Sequence, residues 1–252
     1  MSLQCFLDFG NSRVKAWLCL DNVVLEKISH VHRLDVHSFF TEMPDLFQQR
    51  MDFVGVTSVL DAKSNHEFAV QAERQWGVQP RFAESQGNCC GVRNGYRQPE
   101  QLGVDRWMNI LAVSGQEGGC CVVSCGTATT IDMIEDGSHT GGFILPGFQL
   151  QLQSLIQGTQ KVRPGVLSDS AVSPGCSTTE AVHNGILLGQ LSMIERCFND
   201  MRQRFGGEGR LVLTGGDADK LGPHLACPHD IIPELVLVGL RRYFDFVVSS
   251  EE

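Results

Sequence analysis

The stretch Leu7-Asp8-Phe9-Gly10-Asn11-Ser12-Arg13-Val14-Lys15 closes one apolar run and opens another around a turn of small polar residues. Runs 3–9, 13–20 and 23–29 read as three short strands, divided by Gly10-Asn11-Ser12 and by the turn dipeptide Asp21-Asn22. The same order returns in the second half. Strands are predicted over 120–125, 129–134 and 142–145, separated by Gly126-Thr127 and by Asp136-Gly137. Strand, polar turn, strand therefore occurs twice, once through Asp8-Phe9-Gly10-Asn11-Ser12 and once through Ser124-Cys125-Gly126-Thr127-Ala128-Thr129.

Between the two meanders the pattern predicts a helix over 35–49, a strand over 53–58, a helix over 61–76 begun by Asp61, and an extended piece over 79–83. This alternation points to α/β layers rather than a sandwich or a bundle. Residues 85–99, rich in Gly, Asn, Gln and Pro, exceed an ordinary connection, which marks them as a functional loop. A helix follows over 99–114. Beyond the second meander come helices over 147–158 and 177–205, a strand over 210–213, a Gly215-Gly216 turn and a last helix over 233–247. The implied architecture is two similar halves, 1–117 and 118–252, with a cleft between them.

The 252 residues suffice for a large core, and 42% hydrophobic with 19% charged residues excludes bulk disorder. No window approaches the ~18 consecutive apolar residues of a membrane span. Met1-Ser2-Leu3-Gln4-Cys5 offers no basic segment ahead of an apolar run, so the expectation is a cytoplasmic protein. Ten cysteines include two vicinal pairs but no Cys-x-x-Cys, which favours buried thiols over disulfides or a zinc site. A net charge of −9 without a Lys/Arg run argues against nucleic acid.

Phosphate binding needs backbone N–H groups at a tight turn, hydroxyl or amide donors beside them, and a nearby cation. In the first turn Gly10 lets the backbone approach, Asn11 and Ser12 donate, Lys15 supplies charge, and Asp8 suits a hydrated magnesium ion. An ordinary Asn-Ser hairpin is the competing reading. Gly126-Thr127-Ala128-Thr129-Thr130 is a second turn of this type, and Thr214-Gly215-Gly216-Asp217 would let a nucleoside come close. Gly103-Val104-Asp105-Arg106 precedes an apolar helix, placing a carboxylate able to accept a hydroxyl proton beside an anion-clamping arginine. His30 and His32 alternate along a predicted strand without a third ligand, so they are read as solvated.

Together these segments resemble the type III pantothenate kinases of the acetate and sugar kinase/Hsc70/actin superfamily. The motifs run in order: Asp-x-Gly-Asn-Ser-x-x-Lys at 8–15, Gly-Val-Arg-Asn-Gly-Tyr at 91–96, Gly-Val-Asp-Arg at 103–106, Gly-Thr-Ala-Thr-Thr-x-Asp at 126–132, Gly-Gly-Phe-Ile-x-Pro-Gly at 141–147, Thr-x-Glu-Ala-Val at 178–182 and Thr-Gly-Gly-Asp at 214–217. The resemblance implies an α/β fold of two ribonuclease H-like (actin-like ATPase) domains, and ATP-dependent phosphorylation of pantothenate to 4'-phosphopantothenate, the first step of coenzyme A biosynthesis. It assigns ATP to Asp8, Phe9, Gly10, Asn11, Ser12, Arg13, Val14, Lys15 and Thr127. It makes Asp105 the proton acceptor and gives pantothenate to Tyr96, Gly103, Val104 and Arg106, with Thr178 reaching in from the partner of a homodimer. It also implies Mg²⁺ and a monovalent cation, potassium or ammonium. Ser124 stands where the family commonly has the aspartate associated with that ion, which predicts a weakened or absent monovalent-cation requirement. A catalytically silent accessory protein, of the kind called Bvg accessory factor, is the alternative that Ser124 favours.

Overall fold

The computed structural model describes residues 1–30, 36–115, 118–167 and 169–250. His32 and the expected division at 117 lie outside the described residues, as does the first position of the helix expected over 35–49. Contacts divide the chain into two compact units, one of residues 1–112 with 235–252, the other of residues 113–234.

In the first unit β1 (Leu3–Phe9), β2 (Val14–Leu20) and β3 (Val23–His30) form the expected meander. Then follow α1 (Val36–Thr41), β4 (Phe53–Ser58), α2 (Ala62–Trp76) and β5 (Arg81–Phe82). The sheet order is β3-β2-β1-β4-β5, with β4 parallel to β1 and β5 parallel to β4. Asp61 caps α2 by accepting from the Ser64 N–H at 2.8 Å, and Gly77 closes the helix in the left-handed region at φ 75°. The helix expected over 35–49 is interrupted. Pro44 disfavours helical backbone at the residue before it, so the chain leaves α1 after Thr41 and resumes as a short 3₁₀ turn, Asp45–Gln48.

Cys5, Leu7 and Phe9 of β1 point to the side covered by α1 and α2, where Phe9 meets Phe68 at a centroid distance of 4.8 Å and Trp76 is fully buried. Burying a side chain of this size contributes about 1.5–3 kcal/mol. The segment 85–99 is structured: β6 (Asn88–Cys89) and β7 (Val92–Arg93) form a small hairpin, and Pro99–Gln101 is a 3₁₀ turn. Extended backbone at Leu102 separates that turn from α3 (Val104–Val113), so the helix expected from 99 starts five residues later.

The second unit repeats the topology. β8 (Gly119–Cys125), β9 (Ala128–Glu135) and β10 (Ser138–Pro146) form a meander, α4 (Phe148–Gly158) and α5 (Thr178–Arg204) follow, then β11 (Arg210–Thr214), α6 (Ala218–Leu221) and β12 (Asp230–Ile231). β11 lies parallel to β8 and β12 parallel to β11, as β4 and β5 do to β1. Cys121, Val123 and Cys125 face a core with Leu187, Leu191, Ile194 and Phe198 of α5. All ten cysteines are free thiols, seven of them buried, while Cys176 is exposed.

The last helix, α7 (Leu235–Ser249), falls in the first unit, whereas a division at 117 assigns it to the second half. Its Phe244 packs edge-on against Phe53 at 5.1 Å, and the Arg241 guanidinium lies over the Phe6 ring at 5.7 Å. These contacts cover the face of the first sheet opposite α2. Gly239 allows the approach to α3, since a Cβ there would lie 1.9 Å from the Met108 carbonyl oxygen. Gly239→Ala is therefore expected to cost at least about 1–3 kcal/mol in urea unfolding. Gly189→Ala, on the open side of α5, is expected to gain up to about 1 kcal/mol. Equal effects at the two positions would refute this packing.

Candidate active site

Asp8 occupies the end of β1, in register with Lys15 of β2 and Thr57 of β4. Residues in register share a face, so these three side chains stand together on the face opposite Leu7 and Phe9. The turn beyond is closed by the Gly10 N–H donating to the Arg13 carbonyl at 3.0 Å, and Asn11, Ser12 and Arg13 are exposed. Burial pushes the Asp8 carboxyl up to about 7. The Lys15 ammonium opposes this, and the Asp105 carboxylate reinforces it. Asp105, distant in sequence, is thus brought within electrostatic reach of the β1–β2 turn. Thr57 is fully buried and its Oγ1 has no hydrogen-bond partner.

Asp105 lies in the first turn of α3, where a carboxylate also favours the positive end of the helix dipole. It folds back over Gly103, so that a Cβ on Gly103 would lie 2.7 Å from Asp105 Oδ1. Arg106 is buried; its Nη1 donates to Tyr96 Oη at 2.8 Å and its guanidinium lies 5.6 Å from the Tyr96 ring centroid. Tyr96, Gly103, Val104, Asp105 and Arg106 are thereby gathered around the start of α3. The residue that sequence reasoning missed here is Asn94. Its amide donates to the Gln86 and Pro99 carbonyls and its Oδ1 accepts from the Tyr96 N–H at 3.0 Å, so one buried side chain folds the loop that carries Tyr96. The signal was present in Gly-Val-Arg-Asn-Gly-Tyr, where Asn is a turn former.

In the second unit the turn at Gly126-Thr127 is pressed from two sides. A Cβ on Gly147 would lie 2.1 Å from the Gly126 carbonyl oxygen, and one on Gly215, at φ 94°, 2.3 Å from the Cys125 carbonyl oxygen. Gly215 thus serves backbone packing rather than ligand approach; Gly216 is the glycine with open space around it. Thr127 is exposed. Ser124 is in register with Thr130 and Thr214, so three hydroxyl side chains share one face. Beside α6 opens a cavity of about 880 Å³, lined among others by Phe148, His183, Leu187, Gln190, Asp217 and Lys220. The buried Nε2 atoms of His183 and Gln190 have no partner there, while Gln190 Oε1 accepts from Thr129 Oγ1 at 3.1 Å. Thr178 opens α5 and is exposed, next to the cap in which Ser177 Oγ accepts from the Glu180 N–H and Glu180 Oε2 from the Cys176 N–H. It borders a shallow hollow with Leu155, Val182 and Ile186.

A doubled meander-plus-crossover fold with polar turns at its strand ends is that of the actin-like ATPases and sugar kinases. Among solved structures the chain is similar to a Baf family protein from Campylobacter jejuni (TM-score 0.65, 20% identity, 97% of this chain and 99% of that one). It is also similar to MreB 5 of Spiroplasma citri bound to AMPPNP (TM-score 0.54, 10% identity, 100% and 98%). Within that class the chain belongs to the type III pantothenate kinase family, whose family model matches residues 5–200. It is 38% identical over 245 residues to the type III pantothenate kinase of Acinetobacter baylyi (95% of this chain, 97% of the relative). It is 33% identical over 249 residues to that of Psychrobacter arcticus (97% and 99%).

The raised carboxyl of Asp8 links stability to pH. In the folded chain it holds its proton up to about pH 7, whereas the unfolded chain releases it near 3.8. Stability is therefore full below pH 3.8 and declines as pH rises through 7. Without divalent cation, Asp8→Asn is expected to stabilise the protein by roughly 1–3 kcal/mol above pH 7 and progressively less toward pH 4. Urea melts of both proteins across that range test this, and a pH-independent difference would refute it.

Proposed function

We propose that the chain transfers the γ-phosphoryl group of ATP to the terminal hydroxyl of pantothenate, giving 4'-phosphopantothenate, with Asp105 as the proton acceptor. The observation that carries this reading is the meeting of Asp8, Lys15 and Asp105, which gives phosphate-binding and hydroxyl-activating groups one electrostatic environment. Phosphoryl transfer asks mainly for positioning and charge neutralisation. On this reading the Gly10 to Arg13 turn and Lys15 receive phosphate oxygens, with Phe9 and Val14 fixing the strands on either side, and Thr127 is assigned to the same nucleotide. In the second unit the Thr214-Gly215-Gly216-Asp217 segment is assigned to the nucleoside, next to a cavity in which His183 Nε2 and Gln190 Nε2 have no partner. Arg106, oriented by Tyr96, clamps the pantothenate carboxylate, and Gly103 and Val104 line its path.

Hard oxygen donors fit Mg²⁺, and Asp8 with the unpartnered Thr57 hydroxyl beside it is such a set. When bound, Mg²⁺ would neutralise charge on the β- and γ-phosphates. The monovalent ion is a different matter: Ser124, Thr130 and Thr214 present neutral hydroxyls, and no carboxylate stands in register with them. Added potassium is expected to change turnover little; a strong, saturable activation would overturn this.

Thr178 is assigned to the partner's pantothenate site in a homodimer, a reading supported by its exposure beside the exposed Leu155. The silent accessory reading gains no support from the site, which keeps Asp8, Lys15, Asp105 and Arg106.

A coupled ADP-release assay with pantothenate tests the assignment. Asp105→Asn is expected to lose at least about 100-fold in kcat while remaining folded, and equal rates would reject Asp105 as the base. Thr178→Val is expected to raise the KM for pantothenate. Mixing inactive Asp105→Asn with Thr178→Val subunits under exchange is expected to restore up to about a quarter of the sites to wild-type KM. Absence of any wild-type component would refute the shared site.

A further inference from the structure

We propose that Cys89 and Cys90, at the tip of the β6–β7 hairpin, form a dithiol that exchanges with low-molecular-weight disulfides, Cys90 attacking and Cys89 closing a vicinal disulfide. The two sulfurs lie 3.5 Å apart, Cys89 buried and Cys90 half-buried. The backbone singles out Cys90. Its φ is 53° and that of Gly91 is 78°, the two left-handed residues of a tight hairpin turn, a place for Asn, Asp or Gly. The other non-glycine residues with positive φ, among those described, are Asp21 and Asp136, both ordinary turn formers. A cysteine in this conformation carries backbone strain that a glycine would not.

The surroundings polarise the pair. Arg242 Nη2 donates to the Cys90 carbonyl at 3.3 Å, while the protonated Cys90 thiol donates to the Arg242 carbonyl at 3.4 Å, a bond that ionisation gives up. The groups facing Cys90 are Cys89, Arg242 and Asp245. Hydrogen bonding from the Cys89 thiol, then the Arg242 charge, lower the Cys90 thiol to about 7, against the opposing effects of burial and of Asp245. The Cys89 thiol moves the other way, chiefly because it donates to Cys90. The reactive thiolate is therefore at the accessible sulfur and the proton at the buried one.

The exchange balances in two steps. Cys90 thiolate attacks one sulfur of the disulfide RSSR, forming a mixed disulfide and expelling RS⁻. Cys89 then gives up its proton, attacks Cys90 Sγ and expels the second RS⁻. The two cysteines are oxidised and RSSR is reduced to two RSH once the thiolates take up protons. Nothing in this depends on the kinase reading, and Arg242 and Asp245 are outside the residues assigned to it.

The test treats the whole protein with excess glutathione disulfide and follows peptide masses over pH 6–9, a span chosen about the ordinary and lowered thiol ranges. Wild type is expected to lose two hydrogens across Cys89–Cys90 without a lasting adduct, at a rate half-maximal near pH 7, and to recover with dithiothreitol. Cys89→Ala, which removes both the donor and the closing thiol, is expected to retain one glutathionyl group on Cys90 and to shift its rate profile to higher pH. Cys90→Ser is expected to show neither product. The exposed Cys176 is the internal reference. Modification of Cys176 with both Cys89 and Cys90 left reduced would overturn the proposal, as would a lasting Cys90 adduct without closure in the wild type.

Discussion

A half-buried carboxylate at the end of a strand is the constraint on which the first unit turns. Asp8 is where it is because β1 pairs with β2 and β4 in a fixed register, and a slip of one residue would send it into the aromatic core that Phe9 fills. Placed correctly, it still loses hydration, and Lys15 only partly compensates. Bringing α3 close adds Asp105 and makes the arrangement more unfavourable, not less. A fold tuned for stability alone would not keep two carboxylates and an unpartnered threonine hydroxyl together. It is an arrangement whose charge balance a bound cation would complete.

The second turn is built on a different principle although the sequence around it looks similar. Asn11, Ser12 and Arg13 stand out in solvent, whereas Gly126-Thr127 is clamped between backbone at Gly147 and Gly215. Steric limits of this kind permit glycine and nothing larger. The first turn derives its rigidity from strand register, and the second from neighbouring main chain that only glycines let in. The two units thus share a topology but hold their turns by different means.

The meanders, the Asp61 cap and the clustering of Tyr96 with Gly103 through Arg106 were legible because each rests on local chemistry or on a contiguous motif. What was not legible depends on which surfaces meet. The apolar residues of α7 predict a helix, but no period in them says that Phe244 will cover Phe53 rather than the sheet of the preceding half. Thr57 looks like any β-branched residue of a buried strand until its hydroxyl is found beside Asp8. Gly147 and Gly215 read as a helix start and a ligand approach because the carbonyls they admit come from remote segments. Helix ends depart from the expected ones at Pro44, which disfavours helical backbone at the residue before it, and at Leu102, which is extended ahead of Gly103.

At Ser124 the second turn opens on a neutral hydroxyl rather than a charge. A carboxylate at that position would need a cation to offset its burial on a half-covered sheet face. With serine the need disappears along with the ligand. Asp132, two residues beyond Thr130 on the same face, does not replace it: it is buried and bonded to His139 Nε2 at 2.9 Å. The hydroxyls of Thr130 and Thr214 remain, and they can bond to one another's strands or to water without leaving a charge stranded. Serine at this position leaves no charge on that face to be balanced, and Asp8, Lys15, Asp105 and Arg106 are all retained in the chain.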